Sequence, residues 1–154
     1  MSHYTATIKW RRDDQSFLDD NYSRGHIWEF DGGLSVPASA SPDIVPLPKS
    51  VAENVDPEEA FVASLSSCHM LFFLSIAAKK GYVVDKYTDS ATGDMAKNDQ
   101  GKIAITQIIL HPEVEFSGDR QPTAEQIERL HEQSHQRCFI ANSVRTDVSV
   151  QPVG

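Results

Sequence analysis

The chain has 154 residues, 40% of them apolar, with both signs of charge interspersed, which fits one domain spanning 1–154 with a real core and excludes a disordered or collagenous chain. Its formal net charge of -8, and the lack of any Lys/Arg run longer than Arg11-Arg12 or Lys79-Lys80, argue against a nucleic-acid surface. Met1 to Arg12 is polar and alternating without an apolar segment, so no export leader is expected and a cytoplasmic location is.

Tyr4, Ala6, Ile8 and Trp10 alternate with polar residues, the pattern of a half-buried strand. His26 to Phe30 reads as a second strand, and Asp31-Gly32-Gly33 turns it into Leu34 and Val36 as a hairpin. Pro37 to Asn54 is rich in proline and reads as a long ordered loop or a crossover. Asp56-Pro57-Glu58-Glu59 then opens a helix with a capping residue, a proline at the first helical position and a carboxylate that closes a capping box. Lys79-Lys80 suits the negative end of that helix and Gly81 ends it. Phe61, Leu65, Cys68, Phe72 and Ile76 follow one stripe, but the other faces are apolar too, so the helix is expected to be buried on most sides. Ala60 to Ala78 approaches membrane-spanning length, yet four serines and His69 interrupt it, which favours a core helix over a span.

Tyr82 to Met95 and Lys102 to Phe116 read as two long strands joined by a turn at Asn98 to Gly101. Thr123 and Gln126 form a second capping box, opening a helix through Arg137 on which Ile127, Leu130, Ser134 and Cys138 share a stripe. Val144 to Val150 alternates as a last strand. The order is β-β-β-α-β-β-α-β, an α+β domain without repeats.

Chemistry centres on the two cysteines, Cys68 and Cys138, for which three readings stand open. Without an export leader, a cysteine pair is redox-active, metal-binding or simply reduced and inert, and buried free cysteine often serves as a small hydrophobe. His131, His135 and Cys138 project from one side of the second helix and, with Cys68, have the residue types of a zinc site, although no CxxC anchors it. His69 adjoins Cys68, but neighbouring helical residues point about 100° apart, so it is poorly placed as a base and reads as a packed histidine. A thiol peroxidase needs a stabilised thiolate and a second thiol to trap the sulfenic acid. Cys68 lies too far along its helix for help from the dipole. Arg24, in the loop before the second strand, is a candidate cation or an ordinary surface arginine.

Two blocks carry a family resemblance. Asp56-Pro57-Glu58-Glu59 followed by Ala60-Phe-Val-Ala-Ser-Leu-Ser-Ser-Cys68-His69-Met70-Leu71 resembles the central-helix signature of the OsmC/Ohr family, and His135-Gln-Arg-Cys138-Phe-Ile-Ala-Asn142-Ser143 resembles its second motif. The run from Cys68 to Leu71 looks closer to the OsmC-like branches than to Ohr proper. The resemblance implies two antiparallel-rich sheets wrapped around long central helices in an intertwined homodimer, with active sites at the subunit interface. It implies thiol-dependent reduction of organic hydroperoxides in oxidative-stress defence, with Cys68 as peroxidatic and Cys138 as resolving cysteine. It implies Glu58 as the residue holding the catalytic arginine, for which Arg24 is the candidate, and a thiol or dithiol as reductant. No cofactor and no metal are expected. Glu58 precedes Cys68 by ten residues, about 15 Å along a straight helix, so a shared site requires Glu58 from a second chain. Phe61, Leu65, Phe72 and Phe73 offer an apolar wall for an organic tail, or a core. The alternative is a non-catalytic or small-ligand-binding dimer with inert thiols.

Overall fold

In the computed structural model, which describes all 154 residues, the first helix begins where its caps predict. Helix α1 spans Pro57–Lys79. The Glu59 backbone N–H donates to Asp56 Oδ1 at 2.8 Å, and Glu59 Oε1 accepts from the Asp56 N–H at 3.3 Å, closing the expected box. At the other end Gly81 takes a φ of +83°, the left-handed conformation in which glycine alone is free of strain. Helix α2, Ala124–Arg137, has the same reciprocal box between Thr123 and Gln126.

The chain divides into two units, Met1–Ala60 and Phe61–Gly154. In the first, β1 (Ala6–Lys9), β2 (His26–Phe30) and β3 (Ser35–Ala38) form an antiparallel three-stranded sheet in chain order. The segment after β3 folds back on it. Ser39 Oγ accepts from the Val51 N–H at 2.9 Å, and the Asn54 side-chain amide donates to the Ala38 carbonyl at 3.1 Å. The alternation in β1 predicts a half-buried strand, but every residue of β1 is exposed, with Ile8 at 58%.

The second unit splits each long strand of the sequence reading in two. Val83–Asp89 (β4) pairs with Pro112–Ser117 (β7), while Thr92–Lys97 (β5) pairs with Ile103–Leu110 (β6). The last strand, Asp147–Val150 (β8), joins β6 in parallel. Asp89 pins the break: its carboxylate accepts from the His111 N–H at 2.6 Å and from Ser66 Oγ of α1 at 2.5 Å. The α+β class of the sequence reading holds, with two more strands and three separate sheets in one chain.

Helix α1 serves both sheets of this unit. Its Leu65 packs with Ile108 and Leu110 of β6, while Phe73, Ile76 and Ala77 pack with Tyr82 and with Leu130 of α2. Leu65 and Phe73 are fully buried, each contributing about 2 kcal/mol. Gly93 in β5 leaves room for Val62 of α1 beside that contact, because a Cβ there would come within 2.8 Å of Val62 Cγ2. By length and composition α1 could cross a membrane, but it lays the stripe Leu65, His69, Phe73 and Ile76 into the core of its own unit. That stripe is not the one through Cys68 and Phe72. A helix apolar on all sides has no favoured face in its sequence, and packing partners choose one.

Candidate functional site

The choice of stripe leaves Cys68 half-buried beside an open groove. The groove, about 480 Å³, has Ser64, Ser67 and Ser75 along α1 and an apolar side made by Leu71, Phe72 and Phe139. Phe139 meets Phe72 edge-on, with ring centroids 5.0 Å apart. Of the four residues expected as an apolar wall, only Phe72 lines this groove. Phe61 and Leu65 belong to the cluster around Ile108, and Phe73 to the cluster around Leu130.

Cys138 follows the last turn of α2 as its C-cap, its N–H bonded to the His135 carbonyl, and is 1% exposed. Both cysteines carry free thiols. Burial pushes the Cys138 thiol up to about 11, and the neighbouring Cys68 sulfur adds to the rise. The Ala141 N–H, 3.4 Å from Cys138 Sγ, pulls the other way without overcoming burial. At neutral pH Cys138 is therefore an S–H rather than a thiolate, facing the sulfur of Cys68. The sequence motifs are thus brought together in space: α1 supplies one sulfur and the end of α2 the other.

No arginine or lysine lines the groove. Arg24 belongs to the first unit, where its guanidinium is already engaged. It bonds Asp20 Oδ1 at 2.7 Å and the Tyr22 carbonyl at 2.6 Å, and lies 3.6 Å from the centre of the Tyr22 ring. That contact holds the Asp20 carboxyl below its ordinary range. Within the first unit, Arg24 pairs with Asp20 and not with Glu58. Glu58 instead carries a buried carboxylate oxygen, Oε2, with no hydrogen-bond partner.

The histidines go elsewhere. His69 Nε2 meets His131 Nδ1 at 2.9 Å, the rings lie within 8° of parallel, and Phe73 stacks on His131. Burial, and then the nearby His135, pushes His69 down to about 4, against the opposing pull of Asp89. Burial and His69 bring His131 to about 4 as well. Both rings are neutral at physiological pH, so neither offers a charged partner to Cys68. No three His, Cys, Asp or Glu side chains assemble as a metal site. The HxxxH spacing does not assemble a zinc site, because His131 turns into the core toward His69 and does not converge with the two cysteines. Sequence reasoning missed this pair, whose members stand 62 residues apart. It also missed Phe139 as a groove wall, although Phe139 stands inside the second motif beside Cys138.

Comparison with known proteins places this geometry in a family. The family described as OsmC-like protein matches residues 50–153. An OsmC-like protein of unknown function from Vibrio cholerae is 55% identical and superposes with a TM-score of 0.98, covering 99% of this chain and 100% of that one. An organic hydroperoxide resistance protein from Elizabethkingia anophelis is 18% identical, with a TM-score of 0.70 over 99% of this chain and 94% of its own. One described as an organic hydroperoxide resistance protein OsmC, from Legionella pneumophila, is 16% identical, with a TM-score of 0.67 over 99% and 97% of the two chains. At these lower identities the likeness is one of fold. No curated protein is significantly similar to the chain. With the family signature over two-thirds of its length and a close relative matching it end to end, the chain belongs to the OsmC-like protein family.

Proposed function

We propose that the chain is a cysteine-based peroxidase that reduces organic hydroperoxides in the cytoplasm, as a homodimer. The observation that carries this reading is the pairing of a half-buried Cys68, open to an apolar-walled groove, with a protonated, buried Cys138 at its side. Two relatives of the same fold are named for organic hydroperoxide resistance, which agrees with that chemistry.

In the proposed cycle the Cys68 thiolate attacks the distal oxygen of the hydroperoxide. The O–O bond breaks, the alkoxide takes up a proton and leaves as the alcohol, and Cys68 becomes a sulfenic acid. Cys138 then forms an S–S bond to Cys68, its thiol proton joining the departing hydroxyl to give water. An external dithiol, oxidised in turn to its disulfide, returns both cysteines to thiols. Arg24 is the proposed source of positive charge for the thiolate, held in place by Glu58 of a second copy. The orphaned buried Glu58 oxygen supports that assignment, because such an oxygen calls for a donor. The exposed apolar residues of the chain, Ile8 in β1 and Leu71 and Phe139 at the groove, support a second copy as a cover.

The buried, weakly acidic Cys138 also suits a second reading, a non-catalytic dimer with inert thiols. Free-thiol titration before and after one equivalent of cumene hydroperoxide separates the two. The peroxidase loses both thiols of each chain to an intramolecular disulfide; the inert dimer keeps both while folded.

A further inference from the structure

A second cavity lies in the Phe61–Gly154 unit, away from the cysteines, between the end of α1 and the start of α2. It measures about 380 Å³ and is lined by Lys79, Lys80, Tyr82, Arg120, Gln126 and Arg129. Four of the chain's 14 basic residues thus face one small space, in a protein with 22 acidic residues and a net charge of -8. No acidic side chain lines the cavity. The salt bridges of the structure involve Lys9, Arg11, Arg24 and Lys49, so these four cations are unpaired.

Ordinary helix electrostatics accounts for half of the cluster. Lys79 and Lys80 sit at the negative end of α1, where cations are favoured. Arg120 and Arg129 have no such excuse. One precedes the N-cap Thr123 and the other lies in the second turn of α2, both beside the positive end of that helix. Placing two arginines there, next to two lysines, is electrostatically uphill without a counter-charge.

The site is also shaped. The Arg120 guanidinium lies 5.1 Å from the centre of the Tyr82 ring, a cation–π contact that fixes its plane. Its aliphatic stem passes over Gly81, where a Cβ would lie in ordinary van der Waals contact, 3.6 Å from Arg120 Cδ. Gln126 spends its carbonyl oxygen on the Thr123 N–H at 2.8 Å, which leaves its amide nitrogen as a donor.

We propose that this cavity is a binding site for a small diphosphate-bearing anion. Two guanidinium forks match phosphate oxygens in pairs, and the two lysines add point charge. Four cations balance a diphosphate more closely than a single phosphate or carboxylate. The site does not depend on the cysteine chemistry, so its test is run on Cys68→Ser as well as on the unaltered chain.

The experiment is isothermal titration with inorganic pyrophosphate at low ionic strength, with orthophosphate and sulfate at matched ionic strength as comparisons. The expected result is saturable binding of one pyrophosphate per chain, at least tenfold tighter than orthophosphate or sulfate. It should weaken at least tenfold in Arg120→Gln/Arg129→Gln, less in Lys79→Gln/Lys80→Gln, and not in Cys68→Ser. Circular dichroism confirms that the variants remain folded; the arginine and lysine substitutions are all at exposed positions. Absence of saturable binding overturns the proposal. So does equal affinity for orthophosphate or sulfate, or pyrophosphate affinity that the arginine substitutions leave within twofold.

Discussion

Cys68 and His69 are neighbours in sequence on one helix and belong to different worlds. Cys68 is half-buried on a groove beside a second thiol, whereas His69 is 1% exposed and locked ring-to-ring with His131. A step of about 100° around α1 separates them. Because α1 is apolar on every side, the partners that pack on it decide which of its residues become core. Here strands β4–β8 and helix α2 take Leu65, His69 and Phe73, and Cys68 is left at the rim. Exposure along this helix is thus assigned by packing, one residue at a time.

The sharpest way to break that contrast is to alter each neighbour alone. Cys68→Ser should reduce peroxide turnover to background while leaving the urea midpoint almost unchanged, a shift within about 0.5 kcal/mol. His69→Ala should do the reverse, destabilising the fold by roughly 3 kcal/mol through a cavity and an unpaired His131 nitrogen. Its folded fraction should still oxidise Cys68. If His69→Ala keeps full stability but loses thiol oxidation, the division between the two positions is wrong.

Next in size is the loss of the second thiol. Cys138→Ser should retain the first oxidation of Cys68 but pass from sulfenic to sulfinic acid under excess peroxide, visible in intact mass. Normal turnover of Cys138→Ser with a dithiol would remove its resolving role.

The histidine pair makes a pH prediction of definite sign. Its folded values, about 4, lie below the ordinary 6.5, so the fold favours the neutral rings. Unfolding then takes up protons, and the stability from burying the rings neutral is complete above pH 6.5 and is lost as pH falls toward 4. Urea midpoints should be flat from pH 8 to 7 and decline from 6.5 to 5, before most carboxylates titrate. His131→Phe should flatten that decline. An unchanged slope in the variant would mean the pair does not control it.

A smaller effect is expected at the groove wall. Phe139→Ala removes the ring that faces Phe72, and should raise KM for cumene hydroperoxide several-fold while leaving hydrogen peroxide reduction nearly as it was. Equal losses for both peroxides would point to a structural role for Phe139 instead.

Much of this was legible in the residues, where the signal was local. Asp56, Pro57 and Glu59 announce the start of α1, and Thr123 with Gln126 that of α2, because a capping box is complete within four residues. The two cysteine motifs suggested one site, and in the structure Cys68 lies close enough to raise the Cys138 thiol further. What the sequence concealed was set by distant partners. The split of the long strands at Asp89 and His111 depends on a carboxylate bonded to Ser66 of α1, which no periodicity reports. His131 looked like a zinc ligand by its spacing to His135, and only the fold shows that it faces His69. Arg24 was legible as a cation but not as one already held by Asp20 and Tyr22.

Whether Cys68 and Cys138 act as one redox pair is read from intact mass after one equivalent of cumene hydroperoxide. A redox pair should lose two hydrogens per chain, show no free thiols, and recover fully on adding a dithiol. A folded protein that keeps its original mass and both titratable thiols would contradict it.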